Sequence, residues 1–130
     1  MKTENIRKIR DIFESFPNIK LAYFFGSRAA GKAGPLSDYD FAVYSSEKNP
    51  EKLMKMKFSL MNKLNHFLKT DKIDVVILNL TESPELKYNI IKDGKLILEK
   101  EPFKVVVEPK ILSEYFDFRQ MLLKYGLTKA

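Results

Sequence analysis

Two aspartates one residue apart, Asp38 and Asp40, open an apolar run that continues through Phe41-Ala42-Val43-Tyr44. In an extended strand, residues i and i+2 project to one face about 6 to 7 Å apart at the Cα atoms, so these carboxylates point together and repel each other. A divalent cation between them removes the conflict, and oxygen-only ligation beside a phosphate is what magnesium prefers. A third carboxylate, Asp74, interrupts Ile73-Asp74-Val75-Val76-Ile77-Leu78 near its start. Burying an unpaired charge among those aliphatic neighbours is costly, so Asp74 is expected to face the same polar site. Three converging aspartates can hold two magnesium ions about 3.5 to 4 Å apart, one activating an attacking hydroxyl and the other neutralising a leaving phosphate. That is the chemistry of nucleotidyl transfer.

Upstream of the aspartates, Gly26, Gly31 and Gly34 place three of the protein's five glycines in one short loop that runs to Ser37. Residues without side chains let backbone N–H groups approach a triphosphate; Ser27 adds a hydroxyl donor, and Arg28 and Lys32 add positive charge. Each piece alone has an ordinary structural reading, since Asp-x-Asp is commonly solvent-facing alternation and Gly-Ser commonly only a turn. Their order is specific: strand, Gly-Ser-x-x-x-Gly, short loop, Asp-x-Asp opening the next strand, and a third Asp in a later strand. A competing motif overlaps them, because Gly26-x-x-x-x-Gly31-Lys32 matches the opening of a P-loop. It fails at Ala33, where a magnesium-binding Ser or Thr is required, and Gly34-Pro35 would break the helix that should follow.

Gly26-Ser27-Arg28-Ala29-Ala30-Gly31 followed by Ser37-Asp38-Tyr39-Asp40 resembles the signature of the DNA polymerase β nucleotidyltransferase superfamily, and the small size is similar to its minimal, MNT-type antitoxin branch. The likeness spans roughly residues 20 to 80. It implies that Asp38 and Asp40 bind both metals, that Asp74 completes the site and helps activate the acceptor hydroxyl, and that Gly26 and Ser27 hold the triphosphate. It also implies ATP as substrate, a HEPN-domain toxin as partner in a hetero-oligomer, and transfer of AMP to a toxin tyrosine. One departure stands out: many relatives carry a basic residue just before the second glycine of the loop, where this chain has Ala30, and Lys32 is the local substitute.

The elements that must position these groups follow from periodicity. Ile6, Ile9, Ile12, Phe13 and Phe16 make an amphipathic helix over 4–16, ended by Pro17-Asn18. Lys20 to Phe25 reads as a buried strand, Asp38 to Tyr44 as a second, and Leu53, Met56, Leu60, Leu64, Phe67 and Leu68 as the stripe of a long helix beginning at Pro50. Residues 73–78 form a third strand with both faces covered. A short helix starts at Ser83-Pro84 and closes at Asp93-Gly94, before a strand at 95–98. Phe103 to Val107, bounded by Pro102 and Pro109, reads as an extended segment or edge strand. A last helix covers about 110–124, with Gly126 as terminator, and its aromatics Tyr115, Phe116 and Phe118 point to more than one side, as an interface would require.

The expected fold is therefore a single α/β domain over residues 1–130, a small mixed sheet flanked by helices, with the helix at about 110–125 available to a partner. At 45% hydrophobic residues, the 130-residue chain can bury one core. The absence of cysteine excludes a disulfide scaffold, a zinc ribbon and thiol catalysis, and a single histidine leaves nothing for a Ser-His-Asp triad. His66 is read as a surface residue, and the methionines from Met54 to Met121 as core filler. The net charge of +6 suits a polyanionic partner, and much of it lies in a lysine-rich stretch over 46–72, read as a solvated helix face; nucleic acid is not favoured. Without an apolar leader at Met1-Lys2-Thr3, and with no long apolar run, a cytoplasmic protein is expected.

The expected function is magnesium-dependent transfer of AMP from ATP to a hydroxyl. A catalytically weak antitoxin that neutralises its toxin by contact is the alternative. An aminoglycoside nucleotidyltransferase is disfavoured, because 130 residues leave little room for a drug-binding domain.

Overall fold

The run Ile19–Phe25 alternates too little to leave a polar face, and it becomes β1, buried on both sides at the centre of the sheet. The computed structural model describes residues 3–32, 34 and 37–127; Met1, Lys2, Ala33 and Pro35 lie outside the described residues. Elements follow in the order α1 (Thr3–Glu14), β1, α2 (Gly26–Ala29), β2 (Tyr39–Ser45), α3 (Pro50–Leu68), β3 (Ile73–Ile77), α4 (Pro84–Asp93), β4 (Lys95–Glu99) and α5 (Phe103–Lys124). The strands lie in the order β3-β2-β1-β4, with β1 antiparallel to β2 and β4, and β2 parallel to β3. Among the described residues no helix is long and apolar enough to cross a membrane.

Strand alternation divides the core into two layers. On one face Phe41, Val43, Ile73, Val75 and Ile77 meet Ile9 and Phe13 of α1 and Leu53, Leu60 and Leu64 of α3. Phe41 is its centre, with ring centroids 5.6 Å from Phe13 and 5.2 Å from Phe24. On the other face Leu21, Tyr23 and Ala42 meet Ile90 of α4 and Val107 and Ile111 of α5. There the Tyr23 hydroxyl donates to Glu108 Oε2 at 2.5 Å, tying α5 to the central strand. Burial first, and then that bond to a carboxylate, push the Tyr23 phenol far above its ordinary range, so it stays a donor.

Local signals placed most helix starts. Asn49 caps α3, its side chain accepting from Lys52 N, with Pro50 in the first turn, and Ser83 caps α4 in the same way. His66 is exposed, as expected. Met56 and Met61 pack on the core, but Met54 and Met121 are exposed and fill nothing.

The segment Phe103–Val107 is not an edge strand: it is the first part of α5, and Pro109 lies inside that helix. Phe103, Val107 and Ile111 recur at i, i+4 and i+8, and burying that stripe outweighs the strand preference of three consecutive valines. Pro109 removes the hydrogen bond to the Val105 carbonyl, but Val105 is 72% exposed, so water can satisfy that carbonyl. The Pro109→Ala variant is therefore expected to be more stable by about 1 to 3 kcal/mol, read as a higher midpoint in urea unfolding at unchanged slope.

Candidate active site

The site is assembled by strand register at the end of the sheet where β1 finishes and β2 and β3 begin. Phe25 of β1 pairs with Asp40 of β2, and Asp40 pairs in turn with Asp74 of β3. Register partners in neighbouring strands share a face, so Asp40 and Asp74 lie side by side, on the α4/α5 side of the sheet. Asp38 stands just before β2 and is exposed. The expectation that Asp74 shares a polar site with the other two is consistent with this register. The supporting premise was wrong in one respect, because Asp74 is exposed: β3 is an edge strand, fully covered on the α1/α3 face only.

Asp40 is half-buried, and its carboxyl is pushed above the ordinary range, by burial first, then by the charge of Asp74 and then by that of Asp38. A carboxyl held more tightly by its proton in the folded state than in the unfolded state costs stability once it ionises. The penalty is absent below the ordinary aspartate range near 3.8 and grows as pH rises through the folded-state value. Asp40→Asn is accordingly expected to raise the melting temperature at pH 7 by a small amount, on the order of 2 °C given solvent screening, and to leave it unchanged at pH 3. Differential scanning calorimetry at the two pH values checks this.

Among the described residues no three acidic or imidazole side chains are drawn together tightly enough to enclose a metal ion. The donor chemistry nonetheless fits magnesium: Asp38, Asp40 and Asp74 offer only oxygen ligands, and the repulsion centred on Asp40 is what a divalent cation would relieve.

The phosphate loop leaves β1 through Gly26, whose φ of +82° is left-handed. A Cβ there would run into the carboxylate of Asp40, so loop and carboxylate are packed against each other. Residues 26–29, expected as open loop, close a single helical turn: the Ala30 N–H donates to Gly26 O at 3.1 Å and the Lys32 N–H to Ser27 O at 2.9 Å. Gly31 has φ +73° with open space around it. Ser27 and Lys32 are exposed on this turn.

Arg28 is the residue whose place differs most from expectation. Its Nε donates to Ser37 O at 2.8 Å, and its guanidinium lies 4.2 Å from the centroid of the Tyr39 ring. Tyr39 packs on the α1/α3 face, stacked on Phe24, so Arg28 braces the two ends of the loop from the side of the sheet opposite Asp40. Ser37 completes the brace, its hydroxyl accepting from Gly34 N at 3.0 Å. Tyr39 and Ser37 fall within the sequence motif but were given no role there; alternation with Asp40 was the available signal for Tyr39.

Sequence reasoning also missed Asn79, just past β3. Its Oδ1 accepts from Ser45 N at 2.9 Å and its Nδ2 donates to Ser45 O at 2.8 Å, so one amide extends the β2–β3 ladder beyond the strand. Beside Asp74, along β3, lies a hollow of about 290 Å³ bounded by Met54, Lys57, Leu80 and Leu86.

Known proteins share the family and the fold of this chain. The family described as Polymerase beta, Nucleotidyltransferase matches residues 7–103. A protein adenylyltransferase MntA from Aphanizomenon flos-aquae (strain 2012/KM1/D3) is 33% identical over 113 residues, covering 76% of this chain and 72% of that relative. The fold superposes on a toxin–antitoxin structure with AMP-PNP at a TM-score of 0.77, with 24% identity, covering 95% of this chain and 99% of that one. A complex of tri-AMPylated Shewanella oneidensis HEPN toxin with MNT antitoxin gives a TM-score of 0.73 and 23% identity over 98% of this chain and 100% of that one.

Proposed function

The chain belongs to the polymerase β nucleotidyltransferase family and is a nucleotidyltransferase, and from that premise we propose that it moves AMP from ATP to a tyrosine hydroxyl of a HEPN-domain partner, as the antitoxin of a toxin–antitoxin pair. The observation that carries this reading is the pairing of Asp40 with Asp74 in register, with Gly26 closed against Asp40. The relatives support the choice of nucleotide and partner, since one is named a protein adenylyltransferase and others are toxin complexes, one with AMP-PNP.

The reaction forms a bond from the acceptor oxygen to the α-phosphorus and breaks the bond from that phosphorus to the bridging oxygen, releasing pyrophosphate. Asp38 and Asp40 would hold magnesium, with Asp74 completing the donor set. When bound there, magnesium neutralises the triphosphate and makes the acceptor hydroxyl more acidic. The N–H groups after Gly26, with the Ser27 hydroxyl, orient the phosphates, and Lys32 on the same turn offers its charge to them. Asp74 lies on the open edge, where an acceptor can arrive, and takes up the hydroxyl proton as the new bond forms. Arg28 acts by holding the loop.

Incubation with α-labelled ATP, magnesium and a purified HEPN-domain toxin that binds this chain should place label on a tyrosine of that partner. Label that stays in ATP, in the presence of a soluble partner, would refute the reading.

A further inference from the structure

The connection from β3 to α4 is unusually well tied. Asn79 is bonded twice to Ser45, and the Thr81 hydroxyl donates to Ile77 O at 2.9 Å. This fixes Leu80-Thr81 as a ridge between two hollows, because both residues line each of them. The first hollow is the one beside Asp74, whose lining includes residues 74–77 on the unpaired edge of β3. The second, about 460 Å³, lies beyond the ridge; Leu53, Leu78, Val107 and Ile111 line it, with Lys48, Lys87 and Lys110 alongside.

The charges of the second hollow are unevenly used. Lys87 is paired with Glu114 at 2.9 Å, whereas Lys48 and Lys110 are exposed and enter no ion pair among the described residues. Two uncommitted ammonium groups therefore stand over an aliphatic floor. At about 3.3 Å per residue, Leu78 lies about 13 Å along the chain from Asp74. An extended polypeptide covers that distance in four residues.

We propose that the acceptor is an acidic polypeptide segment that crosses the Leu80-Thr81 ridge, its hydroxyl at Asp74 in the first hollow and an acidic side chain about four residues away beside Lys48 and Lys110 in the second. The proposal rests on the transferase reading of the site for the position of the hydroxyl. Met54 and Leu80, 38% and 39% exposed beside the first hollow, offer the segment apolar surface. A polypeptide is favoured over RNA because the floor is aliphatic, with Tyr44 as its one aromatic among the described residues, where single-stranded nucleic acid calls for stacking platforms.

The test uses fluorescent copolymers of glutamate with tyrosine and of lysine with tyrosine, measured for binding by anisotropy and for AMP transfer with labelled ATP. The wild type should bind the glutamate copolymer at least tenfold more tightly and transfer AMP to it at correspondingly lower KM. Lys48→Glu with Lys110→Glu should reverse the preference, and Lys52→Glu with Lys55→Glu, an equal change of charge elsewhere on the surface, should not. Equal binding of both copolymers, no difference between the two double variants, or tighter binding of single-stranded RNA would overturn the proposal. Reversal of binding without any AMP transfer by the wild type would leave the acidic-segment surface standing and refute polypeptide transfer instead.

Discussion

Asp38→Asn combined with Asp40→Asn should lower AMP transfer to the partner by about a thousandfold or more, with no loss of fold. The two carboxylates are the donors best placed to hold the cation that neutralises the triphosphate, and removing them together costs about 4 kcal/mol of barrier or more. The fold should survive because neither side chain is buried in the core; Asp40 is half-buried and Asp38 is exposed. Stability at pH 7 should rise slightly, since the substitution removes the like charges that crowd Asp40. Two measurements separate the site from the fold. Magnesium should raise the melting temperature of the wild type, increasing with the logarithm of its concentration above Kd, and leave the double variant unmoved. Labelled ATP should mark the partner with the wild type only. Label at the wild-type rate in the double variant would refute the site, and undiminished neutralisation of the toxin by an inactive variant would assign the antitoxin effect to contact.

Much of this site was legible because its parts are local. Asp38, Asp40 and Gly26 are linked by spacing along one strand–loop–strand unit, and alternation is the local signal that points the two aspartates to one face, although Asp38 stands just before the strand. Asp74 was within reach because a charge in an aliphatic run is unusual. Its pairing with Asp40 in parallel register depends on α3 carrying the chain back to the sheet edge, and no local pattern states which edge. The same limit explains Arg28. A basic residue in a phosphate loop invites a phosphate role, but its direction is decided by the Tyr39 ring, eleven residues on and on the other face.

Where sequence signals competed, packing decided. Pro109 and three valines speak locally for an extended segment, yet the stripe Phe103, Val107, Ile111 makes them helix because that stripe has a sheet face to cover. Beyond Ile111 the helix buries no further residue fully, and Phe116, Met121 and Leu123 stay exposed while Tyr115 stacks on Tyr88 at 3.9 Å. The aromatic tail is thus only partly core, and in the proposed pair it is offered to the HEPN partner. The hollows beside β3 were not legible at all, since α3, the β3–α4 connection and α5 form their walls only after folding.

Gly26→Ala isolates the contact on which loop and carboxylate depend. Two costs fall on this substitution. The first is conformational: at φ +82° an L-residue pays about 1 to 2 kcal/mol. The second is steric, because the new Cβ would clash with an Asp40 carboxylate oxygen, so either the loop lifts or the carboxylate turns away. A shift of about 1 Å in such a group is enough for a hundredfold loss of rate, and that is the expected effect on kcat. Gly31→Ala is the control built into the same loop. Its φ of +73° brings a similar conformational cost, but its Cβ would meet open space. The two variants should therefore lose comparable stability in urea unfolding, while Gly31→Ala keeps its kcat within about tenfold of wild type. Equal losses of kcat would mean that backbone freedom, and not the fit of Gly26 against Asp40, governs the loop.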